Sequence, residues 1–344
     1  MPAKFSVIPP QRTDEVLRFL AGVFGTTETP ANFAPETLAW KFFEPHPWWP
    51  TGRSYVLETE GGIAAHGCAA PVRFVVGDAV LDSAVIFDWA SGKLLPGAGL
   101  LIWRHCAQLT DGPLLAIGGT SQAQRVTSQV KWFVPKEDLR WYARPMKPWK
   151  RFLRSPRSLR DFLKLGRNIW WSRVPSLPSA KGWSCRPARP EDPVFTPAGD
   201  FVPILRTRPW IDYLAACPIA NCTLWILECG GEARGHALVA NLGGSARVAD
   251  FALGGKQGQD AMTSAFSALL RALQSQSDIL EVVAGSSLDE DTRAFTRCGL
   301  RDRASDRVLS ADLHKAFPPD ARLQIVPVLN DAYYLYDPAN PFSL

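Results

Sequence analysis

Two glycines separated by one residue stand where a strand-like stretch passes into an apolar helix-like stretch. The segment is SGKLLPGAGLLIWRHC, Ser91 to Cys106, and its glycines are Gly97 and Gly99. Glycine lets the backbone approach a ligand closely, and the first N–H groups of a helix have no intrahelical partner and carry the positive end of the helix dipole. Such a turn suits a phosphate or pyrophosphate. The alternative is an ordinary tight connection between a strand and a helix.

The size and composition of the chain limit what this turn could belong to. With 344 residues the chain exceeds the usual size of one hydrophobic core, so two domains are expected. Its 46% apolar and 21% charged residues are typical of a globular protein, and no apolar run is long enough to span a bilayer. The N-terminal residues lack the apolar centre of a secretory signal, which favours a cytoplasmic protein.

The cysteines and histidines do not form a recognisable framework. The seven cysteines include no CxxC pair, and the five histidines show no metal-binding spacing. We therefore expect neither a disulfide framework nor a bound metal.

The positive charge is confined to one segment. The formal net charge is +5, but residues 147–173 contain nine Lys or Arg and one Asp, and the rest of the chain is slightly acidic. A nucleic-acid-binding surface over the bulk of the protein is therefore not expected.

On a helical wheel this basic segment has two sides. The basic side holds Arg157, Arg160, Lys164 and Arg167, and the apolar side holds Leu159, Phe162, Leu163, Ile169 and Trp170. A cationic amphipathic helix of this kind either lies on an anionic membrane or packs its apolar side on a domain. The first alternative would place the protein at the inner face of the membrane.

The two halves of the chain have the same order of elements. Val56 to Gly92 and Ile226 to Gly255 each contain three alternating strands joined by glycine turns. Each middle strand holds a histidine, His66 or His236, and each third strand ends in an aspartate, Asp88 or Asp250. An apolar helix, a short strand, a second helix and a closing strand follow in both halves.

This repetition indicates two tandem α/β units, each with a mixed, mostly antiparallel sheet flanked by helices. We place the first unit at residues 1–146 and the second at 183–344. Residues 147–182 form a basic, amphipathic helical linker between them.

The order of elements, with GKLLPGAGLL after the strands and TRAFTRCGLR as the late helix, resembles the GNAT superfamily of acyl-CoA-dependent N-acyltransferases. The resemblance covers both halves. It departs from the superfamily pattern at Leu94 and Gly255, where Gln or Arg is usual, and at Phe295, where a tyrosine usually returns a proton to the thiolate. In the first half the counterpart of that tyrosine is Thr127.

The resemblance implies an acyl-CoA site in the first unit. A strand that separates from its neighbour would hold the pantetheine arm, and the loop would hold the pyrophosphate. The implied ligand-binding residues are Leu95, Gly97, Ala98, Gly99, Leu100, Ser121 and Gln124, of which the last two could instead begin a helix.

Two residues are the candidates for proton transfer in this implied site. Asp88 would be the base, or it could instead hydrogen-bond the following turn. Tyr142 would be the substitute acid. The second unit lacks the complete glycine pair and is expected to be degenerate.

The function implied by the resemblance is transfer of an acyl group from acetyl-CoA or another acyl-CoA to a primary amine. The acceptor would be a small molecule, by analogy an amino sugar or a cell-surface precursor. One alternative is a scaffold or ligand-binding protein that kept the fold without the chemistry. Another is transfer of an amino acid from aminoacyl-tRNA to a peptidoglycan precursor, with the basic segment 147–173 contacting the tRNA.

Overall fold

The computed structural model of the protein describes residues 3–25, 33–49, 51–154, 159–318, 320–330 and 333–334. For residues 159–161 it describes the backbone alone.

In its described residues the first unit contains six strands and four α-helices, and from β2 onward their order is the one expected from the sequence. The strands are β1 (Lys4–Val7), β2 (Ser54–Thr59), β3 (Gly62–Val76), β4 (Ala79–Ser91), β5 (Leu114–Ile117) and β6 (Val134–Pro145). The helices are α1 (Thr13–Phe24), α2 (Pro35–Leu38), α3 (Ala98–Ala107) and α4 (Ser121–Ser128), and α2 continues into a π-helical turn, Ala39–Phe43.

Two linker helices follow the first unit, and the second unit then repeats its order of strands and helices. The linker forms α5 (Pro148–Arg154) and α6 (Leu159–Arg173). The second unit has strands β7 (Trp183–Pro187), β8 (Asn221–Cys229), β9 (Glu232–Leu242), β10 (Ser245–Leu253), β11 (Glu281–Ser286) and β12 (Arg301–Ala311). Its helices are α7 (Arg208–Ala215), α8 (Gln259–Ser275) and α9 (Asp289–Arg297).

The twelve strands form one continuous sheet in which the two units exchange their closing strands. The strand order is β1-β2-β3-β4-β5-β12-β6-β11-β10-β9-β8-β7. β12, from the second unit, pairs with β5 of the first, and β6, from the first unit, pairs with β11 of the second. β6 and β12 also pair with each other. The mixed sheet expected from the sequence is therefore confirmed, and its two halves are joined at their closing strands.

The alternation of side chains along the strands explains how helices cover both faces of the sheet. In β2, Tyr55 and Leu57 pack in one cluster with Ile102 of α3, whereas Val56 packs in another cluster with Leu20 of α1. In the second unit α8 covers the same face as α3 does in the first. α7 and the segment after β12 cover the other face.

Strand register shows how closely the two units repeat each other. His66 lies opposite Ala90, and its counterpart His236 lies opposite Ala252. Each pairing also contains one bulge-type register shift, next to His66 in the first unit and between Val248 and Asp250 in the second. The histidines and the strand ends therefore occupy equivalent places in the two units.

The linker helices are fastened to the second unit by basic side chains. Lys147 and Lys150 donate to the carbonyl oxygens of Gln276 and Ser277, and Arg151 pairs with Glu281. Arg144, at the end of β6, donates to carbonyl oxygens of Ser172 at 2.8 Å and of Pro175 at 3.0 Å. Among the residues described, no helix is long and apolar enough to cross a membrane.

The strand exchange predicts that the two units unfold together. Trp141 lies in β6, is 2% exposed and donates from its Nε1 to Asp306 Oδ2 of β12 at 2.8 Å. We expect Trp141→Ala to lower the free energy of unfolding by about 3–5 kcal/mol and to keep one transition, measured by differential scanning calorimetry. The exposed Trp149→Ala is the control and should leave the transition unchanged. Two separated transitions in the Trp141→Ala variant would contradict this coupling.

Candidate functional site

The glycine turn of the first unit is largely closed by its own hydrogen bonds. Gly97 adopts a left-handed conformation, φ +79°, and precedes the first residue of α3. The N–H of Ala98 donates to Leu95 O at 3.1 Å, and the N–H of Leu100 donates to Gly97 O at 2.9 Å. The indole of Trp89 lies against the turn and donates to Gly99 O at 2.8 Å. Binding of a pyrophosphate at this turn stays a prediction.

Both units contain the separating strand pair that the sequence led us to expect. β4 and β5 pair in parallel at Ala84–Leu114 and Val85–Leu115, although β4 continues to Ser91. β10 and β11 pair in parallel from Ser245–Glu281 to Val248–Ala284, and β10 continues to Leu253. Beyond these points the edges of the strands turn away from each other, so their backbone groups can face a ligand.

At the opening of the second pair lies a cleft, here called the second-unit cleft. Its volume is ≈ 310 Å³, within the range of small-molecule sites. It is lined by the end of β10, the loop that follows it and the starts of α8 and α9, including Phe251, Leu253, Gly255, Gln259, Asp291 and Arg322.

The start of α8, where Gln259 lines this cleft, has unpaired amide groups. Gly258 precedes the helix in an extended conformation, φ −76° and ψ 159°, and its side-chain position is open space. The first bond of the helix joins the N–H of Met262 to Gly258 O at 3.1 Å. The N–H groups of Gln259, Asp260 and Ala261 have no partner among the described residues, as expected for the first turn of a helix. This end of a 17-residue helix is suited to an anion.

Several solved structures share this arrangement of strands and helices. A GCN5-related N-acetyltransferase from Anabaena variabilis matches with a TM-score of 0.56 and 10% identity, over 90% of this chain and 72% of that one. The N-myristoyltransferase of Saccharomyces cerevisiae with bound myristoyl-CoA matches with a TM-score of 0.54 and 12% identity, over 90% and 79%. A putative acetyltransferase from Pyrococcus horikoshii matches with a TM-score of 0.51 and 11% identity, over 97% and 95%. No protein-family model and no curated protein matches the sequence.

The chain has the GNAT fold. The resemblance noted in the sequence is confirmed at the level of the fold, and the two units are two copies of one order of strands and helices within one sheet. In each copy the helix after the separating strand, α3 or α8, is the one that the GNAT resemblance associates with the pyrophosphate.

Asp88, the candidate base, forms a buried ion pair. Lys41 Nζ lies 2.7 Å from Asp88 Oδ2, and both side chains are almost fully buried. Asp88 has a positive φ of 47°, and its carbonyl oxygen lies 2.9 Å from Nδ1 of His66. Burial lowers the pKa of His66, whose Nε2 is 2.9 Å from the hydroxyl of Ser54. These contacts join the π-helical turn after α2 to β3 and β4, and they therefore stabilise the fold.

Asp250, the counterpart of Asp88, forms a similar buried cluster. It accepts two hydrogen bonds from Arg206, at 2.9 and 2.7 Å, and lies 3.0 Å from Nε2 of His236. Burial acts to raise the pKa of Asp250, but the charge and hydrogen bonds of Arg206 and the contact with His236 outweigh it and hold the pKa below its usual range. The repeated aspartate therefore marks a repeated buried ion pair.

Tyr142, the candidate acid, does not meet Asp88. It lies in β6, which is separated from β4 by β5 and β12, so the two backbones are about 14 Å apart. Because of the strand exchange its ring packs with the second unit, 6.2 Å from the ring of Phe295. The expectation of one first-unit site containing both residues is corrected by this placement. Whether either residue transfers a proton stays a prediction.

The other expected contacts of the first unit have local partners. Thr120 caps α4 by accepting from the N–H of Ala123 at 3.2 Å, and Gln124 Nε2 donates to Gly119 O at 3.1 Å. Ser121, the first residue of α4, is exposed. The hydroxyl of Thr127 donates back to carbonyl oxygens of its own helix, at 3.0 and 3.1 Å. Phe295, in the second unit, is buried against Phe266.

A second, much smaller cavity lies between the two units. Its volume is ≈ 40 Å³, and its walls include Trp40, Arg53, Tyr213 and Tyr333. Trp40 stacks on Tyr213 with ring centroids 5.3 Å apart. A space of this size has room for only a few water molecules, and Trp40, Tyr213 and Tyr333 pack in the hydrophobic core.

The residues of the second-unit cleft are those that the sequence analysis missed. Asp291 is the third of three consecutive acidic residues at the start of α9, a position that usually indicates only a favourable helix N-terminus. The spacing could have identified Asp291 in the sequence. It lies four residues before Phe295, the position where the superfamily usually has its proton-donating tyrosine, so the two residues share one face of α9. Among the described residues, no group of three or more His, Cys, Asp or Glu is placed to hold a metal ion.

The buried pair of Lys41 and Asp88 predicts a large stability effect. Asp88→Asn keeps the shape of the side chain and tolerates positive φ, but it leaves the buried ammonium without its carboxylate. We expect the free energy of unfolding, measured in urea, to fall by about 3–5 kcal/mol.

The control for this prediction is Asp82→Asn. Asp82 pairs with Arg73 at 2.6 Å, but its side chain is 52% exposed, so a loss of at most about 1 kcal/mol is expected. An Asp88→Asn variant with unchanged stability and no acyl transfer would instead identify Asp88 as the base.

Proposed function

We propose that the protein transfers an acyl group from acyl-CoA to a primary amine and that the acyl-CoA lies in the second-unit cleft, in place of the first-unit turn that the resemblance implied. The observation that carries this proposal is the coincidence of three features at one place. These are the separating strand pair β10 and β11, a cleft of ≈ 310 Å³ and the unpaired N–H groups at the start of α8. The myristoyl-CoA bound to the yeast enzyme of the same fold supports a CoA thioester as the donor.

The residues of the second-unit cleft fit the parts of such a ligand. The N–H groups of Gln259, Asp260 and Ala261 would face the pyrophosphate. Lys256 and Arg322, at the rim, would add positive charge, although each is 3.3 Å from an acidic side chain, Asp200 or Glu290. The apolar side chains of Phe251 and Leu253 would contact the pantetheine arm.

The acceptor proposed from the sequence is an amino sugar or cell-surface precursor. The two alternative functions require different properties of the protein. A ligand-binding scaffold would hold acyl-CoA without turnover. A tRNA-dependent transferase would need free basic side chains in residues 147–173, and those of Lys147, Lys150 and Arg151 are engaged with the second unit.

Calorimetric titration with acetyl-CoA and with CoA tests the cleft. We expect wild type to bind both with a micromolar Kd, since KM values of enzymes fall between about 1 μM and 1 mM. Gly258→Val fits the extended backbone without a clash, but it places a branched side chain beside the unpaired N–H groups. We expect it to weaken binding at least about tenfold, which is 1.4 kcal/mol.

The matched variant for the first unit is Ser121→Trp, which fills the space at the start of α4 and should leave binding unchanged. Substitution of Gly97 is less informative, because its φ of +79° would strain any other residue. If Ser121→Trp abolishes binding and Gly258→Val does not, the site lies in the first unit. Wild type that binds neither ligand at millimolar concentration would exclude the proposed function.

We further propose that the linker helices form a docking surface for an anionic membrane. The arm, defined as residues 147–173, exposes several large apolar side chains. They are Trp149 (61% exposed) and Leu153 on α5, and Phe162, Leu163 (71% exposed) and Trp170 on α6. Leu165, two residues after Leu163, is buried.

The charge of this surface supports a lipid occupant. Lys164, Arg167 and Arg173 are exposed on α6 beside Leu163 and Trp170. The Arg167 guanidinium lies 4.3 Å from the ring centroid of Trp171. Apolar side chains flanked by cations suit the boundary between lipid headgroups and acyl chains. Arg157 lies outside the described residues, and the side chain of Arg160 is likewise not described, so their part in the basic side stays a prediction.

Sedimentation with phosphatidylglycerol-containing vesicles tests the arm. Each Lys or Arg near an anionic surface contributes about 1 kcal/mol, so we expect Lys164→Gln with Arg167→Gln to weaken binding by roughly tenfold or more at low salt. The control is Arg18→Gln with Arg104→Gln, which removes the same charge from exposed positions of α1 and α3. The proposal would be contradicted if wild type does not bind the vesicles, or if both double variants lose the same amount of vesicle binding.

A further inference from the structure

Asp291 is a buried carboxyl group in the wall of the second-unit cleft. It is the third residue of α9 and is 5% exposed. Ser286 Oγ donates to Asp291 Oδ2 at 2.6 Å, and the same Oγ accepts from the N–H of Leu288 at 3.1 Å. Asp291 Oδ1 has no hydrogen-bond partner in the described part of the chain. The side chain is therefore held in position through one oxygen, and the other is available to a ligand in the cleft.

The two acidic neighbours of Asp291 are engaged differently. Asp289 pairs with Arg140 at 2.5 Å, and Glu290 pairs with Arg322 at 3.3 Å. Within the described residues no Lys or Arg forms an ion pair with Asp291. The buried carboxylates Asp88 and Asp250, by contrast, each bind a cation directly.

The surroundings of Asp291 favour its protonated form. Burial raises the pKa of Asp291 to about 7, although the hydrogen bond from Ser286 acts to lower it. The charges of Glu290 and Asp250 raise the pKa further, and that of Arg206 lowers it. Arg293 and Arg322 are the other charged side chains of the cleft near the start of α9. A carboxyl group that titrates near neutral pH can both give and take a proton under ordinary conditions.

We propose that Asp291 is the proton-transfer residue of the second-unit cleft. The inference rests on the acyl transfer proposed above. As the amine nitrogen forms its bond to the thioester carbon and the C–S bond breaks, the Asp291 carboxyl gives its proton to the departing sulfur. The Asp291 carboxylate then takes a proton from the nitrogen of the new amide. The net change is one proton moved from nitrogen to sulfur, and the carboxyl group is restored.

Chemical labelling tests whether Asp291 is protonated and open to the cleft without relying on turnover. A water-soluble carbodiimide with glycine ethyl ester modifies accessible protonated carboxyl groups, and peptide mass spectrometry reports each position. At pH 6 we expect modification of Asp291 and its suppression by CoA. Asp250, buried and bound to Arg206, is the control and should stay unmodified. Absence of label on Asp291, or label that CoA does not suppress when calorimetry shows CoA bound, would overturn the inference.

The pH dependence of stability gives a second, independent measurement. Asp291→Asn keeps an acceptor for Ser286 but cannot titrate. Since the pKa of Asp291 is about 7 in the folded state and near 3.8 in the unfolded chain, wild type should lose stability relative to the variant as the pH rises from 4 to 7. Above pH 7 the difference in urea midpoint should stay constant. A difference between wild type and Asp291→Asn that does not change with pH would overturn the inference.

Thiol release connects the carboxyl group to the reaction. With acetyl-CoA and glucosamine as probes, we expect Asp291→Asn to bind acetyl-CoA within about twofold of wild type and to release CoA thiol 10²–10⁴-fold more slowly, roughly the contribution of general acid–base catalysis. Equal rates for the two proteins would overturn the inference and leave the proposed function in place. Wild type that does not bind acetyl-CoA would exclude the proposed function, and the pH dependence of stability would still report on Asp291.

Discussion

The exchange of the closing strands is the constraint on which the rest of the structure depends. Each unit contains a parallel strand pair, β4 with β5 or β10 with β11, that separates after a few residues. β6 and β12 lie between these pairs and join them into one sheet, so β5 and β11 have no exposed edge. Since β6 is the last strand of the first unit in sequence and pairs with β11 of the second, neither unit holds a complete sheet alone.

The sequence predicted the elements well and their pairing poorly. The order of three strands, a helix, a short strand, a second helix and a closing strand is present in both units, because the apolar residues of each element recur at its own period. The closing strand β6 alternates in the same way whichever neighbour it joins, so its pattern carries no information about its partner. The placement of Tyr142 in the first unit followed from chain order, and the strand exchange moved it beside Phe295.

The same limit applies to the acidic residues. Asp88 and Asp250 were recognised as equivalent, but their cations, Lys41 and Arg206, lie more than forty positions earlier in the chain. No local pattern links the members of these pairs. In the sequence Asp291 looks like an ordinary acidic residue at a helix start. Its burial, in contrast to the exposure of Asp289, depends on how α9 packs on the sheet.

The difference between the two units can be traced to one glycine in each. Gly97 is left-handed, which turns the chain so that the N–H groups of Ala98 and Leu100 fold back onto Leu95 and Gly97. Gly258 is extended, and the first N–H groups of α8 have no hydrogen-bond partner among the described residues. Both units have the same order of elements, so the fold alone does not decide which one can accept an anion. The backbone conformation immediately before the helix decides it, because that conformation determines whether the amide groups are used by the turn or left for a ligand.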